Sequence, residues 1–177
     1  MNLLDVAQNG IAAGATLVRI GLTLDQTAHR LDLTIADNGR GMDPDLAARA
    51  TDPFCTSRTT RKVGLGLPFL KMAAELTGGS LTLESRLGKG TTVTARFCTD
   101  HIDMPPLGDL AATVAGLIQC NPRLDFVFSL TGPGGVFSAD TGEMRPLLGE
   151  VSLGEPEVAL WLREYLKEHI CEILEKE

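Results

Sequence analysis

The sequence predicts an α/β fold of the α+β type, a two-layer sandwich of helices and a sheet. Three observations predict it: the first segment repeats its apolar residues at helical spacing, four later segments alternate apolar and polar residues as half-buried strands do, and glycine or proline marks most junctions. The chain has 177 residues, 44% hydrophobic and 22% charged, with 19 Gly and 9 Pro. That size and balance exclude a disordered, collagen-like or coiled-coil chain and fit one domain, or one domain with an appendage. A chain of this length buries roughly 70% of its unfolded surface and needs no disulfide staples.

Leu3, Leu4, Ala7 and Ile11 share one helical face up to Gly14, and Val18, Ile20, Leu22 and Leu24 then alternate as a strand. After the polar turn from Asp25 to Arg30, Leu31, Leu33 and Ile35 alternate again and deliver Asp37 to the end of a second, antiparallel strand. Asp43 followed by Pro44 is an N-cap with a first-turn proline, which opens a short helix to about Ala50. Gly66 to Thr77 reads as another helix, stopped by Gly78-Gly79. Ser80 to Arg86 and Thr91 to Cys98 alternate as two strands around the turn Leu87-Gly88-Lys89-Gly90. Residues 1–98 therefore read as one domain of order α-β-β-α-α-β-β. Residues 99–108, with Met104-Pro105-Pro106, read as a linker, because paired prolines support neither a helix interior nor a central strand. Residues 109–177 read as an α-β-β-α extension: a helix Asp109 to Gln119, strands Leu124 to Leu130 and Val136 to Asp140 around the turn Thr131 to Gly135, and a long helix Pro156 to Lys176. Its apolar residues, Phe126, Phe128, Val136 and Phe137 among them, need burial, which predicts packing on the first domain.

Sixteen Lys and Arg against 23 Asp and Glu leave a net charge of −7, which disfavours nucleic acid as a main partner. No run reaches the ~18 apolar residues that span a bilayer, and Leu3 to Val18 lacks the basic start and clean apolar middle of a signal peptide, so a cytoplasmic protein without a membrane partner is expected. Cys55, Cys98, Cys120 and Cys171 form no C-x-x-C pair and read as reduced packing residues. His29, His101 and His169 read as surface or packing histidines.

Three segments carry chemistry. Asp5 and Asn9 are four apart, which puts a carboxylate and a carboxamide on one helical face. Such a pair can position a water and a metal ion, although for the pair alone a solvated helix face is the simpler reading. Asp37-Asn38-Gly39-Arg40-Gly41-Met42-Asp43 delivers a carboxylate into a turn where two glycines let backbone approach a flat ligand, and the acid could accept from an exocyclic amine. An ordinary strand-to-helix turn needs the same glycines. Gly64-Leu65-Gly66-Leu67 opens a helix just after Arg58, Arg61 and Lys62, so free N–H groups, the helix dipole and three cations converge as an anion site. G-x-G alone is a weak signature, and Leu87-Gly88-Lys89-Gly90-Thr91 is no P-loop, since Gly90 stands where Ser or Thr should follow the lysine.

In this order and at these spacings, the segments resemble the boxes of the GHKL ATP-binding family: histidine kinases, type II topoisomerases, Hsp90 chaperones and MutL repair proteins. Asp5-Val6-Ala7-Gln8-Asn9 looks like the N-box, Asp37-Asn38-Gly39-Arg40-Gly41 the G1 box, Asp52-Pro53-Phe54 the F-box, Gly64-Leu65-Gly66-Leu67 the G2 box, and Gly88-Lys89-Gly90-Thr91 the last glycine box. The resemblance covers residues 3–98, and from Pro53 to Gly79 it is closest to histidine kinase catalytic domains. It implies a Bergerat-type fold that binds ATP with Mg²⁺. Residue by residue, it implies that Asn9 holds Mg²⁺ and phosphate oxygens, that Asp37 accepts from the adenine amine, and that Gly39, Gly41 and Met42 lie at the base. Thr91 would support Asp37 through a water. Thr56, Ser57, Arg58, Arg61 and Lys62 would form a lid, with Gly64, Leu65, Gly66 and Leu67 at the phosphates.

Asp5 stands where hydrolytic members carry a general-base glutamate, and it is one methylene shorter. Ala12 replaces the N-box lysine common in histidine kinases. The helix at Leu3 reads as clipped, and no dimerisation helix or phosphoacceptor motif precedes it, so the sequence reads as something other than a complete sensor kinase. The combination with residues 99–177 resembles stand-alone bacterial ATP-binding proteins. The function implied is ATP·Mg²⁺ binding with action on a partner protein, as a trans-acting kinase or a slow ATPase switch. The alternative is a non-catalytic module whose protein-binding surface changes with nucleotide. The partner, the phosphoacceptor and the oligomeric state are left open.

Overall fold

The computed structural model describes residues 3–52 and 65–174. The described chain runs α1 (Leu3–Ala12), β1 (Leu17–Asp25), β2 (Arg30–Asp37), α2 (Pro44–Arg49), α3 (Gly66–Leu76), β3 (Ser80–Arg86), β4 (Gly90–Cys98), α4 (Leu110–Cys120), β5 (Asp125–Gly132), β6 (Gly135–Asp140), α5 (Thr141–Leu148) and α6 (Pro156–Leu174). The six strands form one sheet in the order β3-β4-β2-β1-β5-β6. All pairs are antiparallel except β1–β5, which is parallel with Ile20 opposite Phe128.

Strand alternation sets the layers. Val18, Ile20 and Leu22 of β1, Leu31, Leu33 and Ile35 of β2, Val93, Ala95 and Phe97 of β4, and Phe126, Phe128 and Leu130 of β5 point to one side and are buried. They join buried residues of α1, α3, α4 and α6 in a single core. The other face carries polar residues in register, among them Thr34 opposite Thr94, and Asp32 bridged to Arg30 and Arg96 at 3.3 and 3.0 Å. This is the two-layer arrangement expected.

Local chemistry fixes the boundaries. Asp43 Oδ1 accepts from Leu46 N–H at 2.8 Å and Asp109 Oδ1 from Ala112 N–H at 2.8 Å, so α2 and α4 start on side-chain caps. Helix α3 ends where Gly78 turns to φ 77° and Gly79 N–H returns to the Ala74 carbonyl at 2.9 Å. Buried Thr77 donates to that same carbonyl at 2.8 Å and accepts from Cys98 N–H at 3.2 Å, which ties the helix end to β4.

Three expectations need correction. A helix, α5, follows β6 where none was expected, because Pro146 and a weak apolar stripe hide it. Its signal is Asp140 with Glu143 three residues on, an N-cap pattern, and Asp140 Oδ1 does accept from Gly142 N–H at 2.7 Å. Cys120 and Cys171 are exposed rather than packed, since each falls on the outer side of its helix, while Cys98 is half-buried and Cys55 lies outside the described residues. Val136 is 73% exposed, because Phe137 takes the inward position of β6. No described helix is long and apolar enough to cross a membrane.

Candidate functional site

Alternation along β2 turns Leu31, Leu33 and Ile35 into the core and then, with the same phase, Asp37. A carboxylate thus takes a core-side position at the end of a central strand, with Thr91 of β4 opposite it and Ser85 of β3 opposite Thr91. Partial burial raises the Asp37 pKa above the ordinary carboxylate range, while the amides of Gly39 and Thr91 pull the other way. Asp37 Oδ1 accepts from Gly39 N–H at 2.8 Å.

Glycine makes this crowding feasible. A Cβ at Gly10 of α1 would lie 2.7 Å from Asp37 Cβ, and one at Gly39 would lie 2.9 Å from Ala13 Cβ, so α1 passes directly against the acid and its turn. Gly41 (φ 66°) has the Arg86 carbonyl where its Cβ would be, and Gly90 (φ 103°) has the Asp37 carbonyl there. Gly88 (φ 75°) has nothing within 4 Å. Alanine at Gly90 is therefore expected to cost on the order of 3 kcal/mol through combined clash and strain, and alanine at Gly88 only about 1 kcal/mol. Urea unfolding of both variants checks this, and equal losses would contradict the geometry.

Two residues without an expected role hold the site. Asn38 Oδ1 accepts from the amides of Thr16 (2.8 Å) and Leu17 (3.0 Å), and its Nδ2 donates to Thr16 Oγ1 at 2.8 Å. It pins the glycine turn to the start of β1. Ser85 Oγ accepts from Met42 N–H at 2.8 Å, lies 2.8 Å from Thr91 Oγ1, and donates to the Gly90 carbonyl at 3.1 Å. One hydroxyl thereby joins the Gly41-Met42 turn to the strands beside Asp37. Asn38 could have been suspected from its position after a strand-ending Asp, where Asn commonly satisfies turn backbone, whereas nothing in the sequence marks Ser85.

The other residues gather along α1. Asp5 is exposed and touches the start of α3, where a Cβ at Gly66 would lie 2.5 Å from Asp5 Cβ. Helix α3 begins at Gly66 with Leu65 as an N-cap that supplies no side-chain hydrogen bond, so its first amides have no side-chain cap. Leu65 is exposed, Leu67 is buried, and Met42 is half-buried against the core. Asn9 stands one turn after Asp5, and its Nδ2 is buried without a hydrogen-bond partner. Such a donor costs about 1–3 kcal/mol unless something accepts from it, and a phosphate oxygen is a fitting acceptor. The Asn9 carboxamide and the open helix start thus suit a polyphosphate with its cation, and the Asp37 carboxylate suits an amine donor. The Thr91 amide supports Asp37, and its hydroxyl lies 2.8 Å from Ser85 Oγ. Thr56, Ser57, Arg58, Arg61, Lys62 and Gly64 lie outside the described residues.

A sheet with one helical layer, an inward acid at a strand end and a helix wall along it is the arrangement on the page, and comparison with known proteins gives its class. Residues 1–101 match the model of the family described as histidine kinase-, DNA gyrase B-, and HSP90-like ATPase, and the chain belongs to that family. It is 37% identical over 93 residues to the C4-dicarboxylate transport sensor protein DctB of Pseudomonas aeruginosa, a match covering 52% of this chain and 15% of that protein. With the sensor protein kinase FleS of the same organism it shares 41% over 92 residues, covering 52% and 23%. The chain thus spans under a quarter of the length of these relatives. Among solved structures, the N-terminal domain of a DNA repair protein superposes with a TM-score of 0.53 at 15% identity, over 78% of this chain and 50% of that one, a likeness of fold.

Proposed function

We propose that this protein binds ATP with Mg²⁺ and acts on a partner protein, either by transferring the γ-phosphoryl group or as a slow ATPase switch. The observation that carries the reading is Asp37, a half-buried carboxylate with a raised pKa, walled by α1 at Gly10 and approached by backbone at Gly39 and Gly90. In this reading Asp37 accepts from the adenine amine, and the glycines let α1 and the turns pack closely enough to hold the acid in place. The Asn9 amide nitrogen donates to a phosphate oxygen, and the open amides of α3 take the anionic end. Mg²⁺, when bound, would supply charge neutralisation at the phosphates, with the Asn9 carboxamide oxygen as its protein ligand. Family membership supports ATP binding, and the lid cations Arg58, Arg61 and Lys62 precede α3 in the sequence.

Asp5 decides between turnover and binding alone. Its contact with Gly66 supports a carboxylate near the phosphate end, where it would orient and deprotonate water, while its short side chain favours the alternative of a nucleotide-dependent module without turnover. The test follows γ-labelled ATP with Mg²⁺, in buffer and in a lysate. Release of phosphate that falls roughly a hundredfold in Asp5→Asn, with ATP affinity kept, assigns the base role. Label moving to another protein assigns kinase activity. Label remaining on ATP in every case leaves the binding module.

A further inference from the structure

The far end of the sheet from β3 is a different kind of surface. Strand β6 pairs only with β5 among the described residues, and its two-residue loop makes Gly132 and Gly135 the closing pair. By antiparallel alternation, the N–H and C=O groups of Val136, Ser138 and Asp140 then point away from β5. Strand β3, the opposite edge, alternates exposed polar and charged residues, Glu84 and Arg86 among them. Between Gly135 and Ala139, β6 has no charge and no proline, the devices that ordinarily blunt an edge.

Beside this edge runs an aromatic strip. Helix α6 buries Leu162, Leu166 and Ile170, and its flank toward β6 presents Trp161, Tyr165 and His169 at successive turns. Phe137 of β6 stacks on His169 (centroids 4.5 Å apart) and meets Tyr165 edge-on (5.7 Å), while Tyr165 stacks on Trp161 (5.3 Å), which is 51% exposed. The Gly134 amide donates to the Ile173 carbonyl at 2.9 Å, which locks the helix end to the hairpin and keeps strip and edge side by side.

Charge selects the occupant. On the helical wheel, exposed Glu157, Glu168 and Glu172 fall on the same flank as Trp161 and Tyr165, and Glu164 lies on the outward crest. Arg163 and Lys167 fall on the other flank, where Arg163 bonds Asp109 of α4 at 3.0 Å. A second copy related by a two-fold axis would bring these glutamates toward their own kind, in a chain of net charge −7. We infer that β6 and the aromatic flank of α6 form a docking edge for an extended, basic segment of a partner protein, which adds as a strand and lays Arg or Lys side chains over Tyr165 and Trp161 toward the glutamates.

The test uses the full chain and a fluorescein-labelled peptide of alternating arginine and valine, with an alternating glutamate–valine peptide as control. Trp161 is the only tryptophan and reports directly. The basic peptide is expected to bind, to change Trp161 emission and to weaken with salt. Ser138→Pro, which removes an outward N–H at an edge position that tolerates proline, is expected to lower affinity about tenfold at an unchanged melting temperature. A Glu168→Gln/Glu172→Gln double variant is expected to weaken binding and flatten its salt dependence. No binding of the basic peptide, equal binding of the acidic one, or full affinity in both a folded Ser138→Pro protein and the double variant would overturn the proposal. So would a homodimer in gel filtration that Ser138→Pro dissociates, because the edge would then belong to a second copy.

Discussion

Asp37→Asn is expected to weaken ATP binding by about 2 kcal/mol, roughly thirtyfold in Kd, while the protein stays folded. Asparagine keeps an oxygen for the Gly39 amide but turns a donor toward an adenine amine that itself donates. Guanine nucleotides should bind poorly to the wild type for the complementary reason, since a carbonyl replaces the amine opposite the acid. Calorimetry with ATP and GTP on both proteins checks each arm, and equal affinities would remove Asp37 from the base pocket. The raised pKa adds a pH signature. A carboxyl that the fold makes harder to ionise contributes stability fully present below its unfolded pKa, and that contribution is lost as pH rises through the raised folded value. The ligand-free wild type should therefore lose stability relative to Asp37→Asn as pH rises across that window. ATP affinity should move oppositely, falling as acidification protonates the acceptor. Denaturant titrations and binding isotherms at a series of acidic pH values separate the two trends.

What could be read from the sequence was whatever is local. The alternation of β1 to β4, the Asp43 cap and the glycine stop of α3 each rest on a handful of neighbouring residues, and each formed as expected. The phase of β2 even places Asp37 on the core side, since Leu31, Leu33 and Ile35 set it. Long-range features were beyond reach. The parallel pairing of β1 with β5 has no local mark, because Val18, Ile20 and Leu22 would alternate identically beside any strand. Ser85 looks like an ordinary strand serine until register brings it beside Thr91 and Met42. The same holds for Gly10, whose reason is a carboxylate 27 residues later in the chain and only a methyl group's width away. Helix α5 failed for a different cause: its Asp140 and Glu143 signal was present, and Pro146 outweighed it.

The largest effect is expected from removing the C-terminal segment. Truncation after Cys98 deletes β5, so β1 loses a partner along Leu17 to Thr23, and its backbone becomes an open edge in the middle of the present sheet. The apolar loss is equally direct. Val18, Ile20 and Leu22, each 1% exposed or less, lie opposite Phe126, Phe128 and Leu130, while α4 and α6 contribute Val114, Leu117, Leu162 and Leu166 to the same core. Each large side chain removed withdraws about 1.5–3 kcal/mol of burial. A handful exceeds the roughly 5–15 kcal/mol by which a domain is stable. The 1–98 fragment is therefore expected to aggregate or to remain partly folded with exposed apolar surface. The full chain is expected to unfold in one transition whose midpoint rises with ATP, because a ligand bound near Asp37 on β2 stabilises everything that melts with that sheet. Calorimetry of the full chain with and without ATP, alongside solubility and dye binding of the fragment, reads both outcomes. A soluble fragment that binds ATP, with the remaining segment melting separately and indifferent to nucleotide, would show that β5 and β6 dock on the sheet without being required for it.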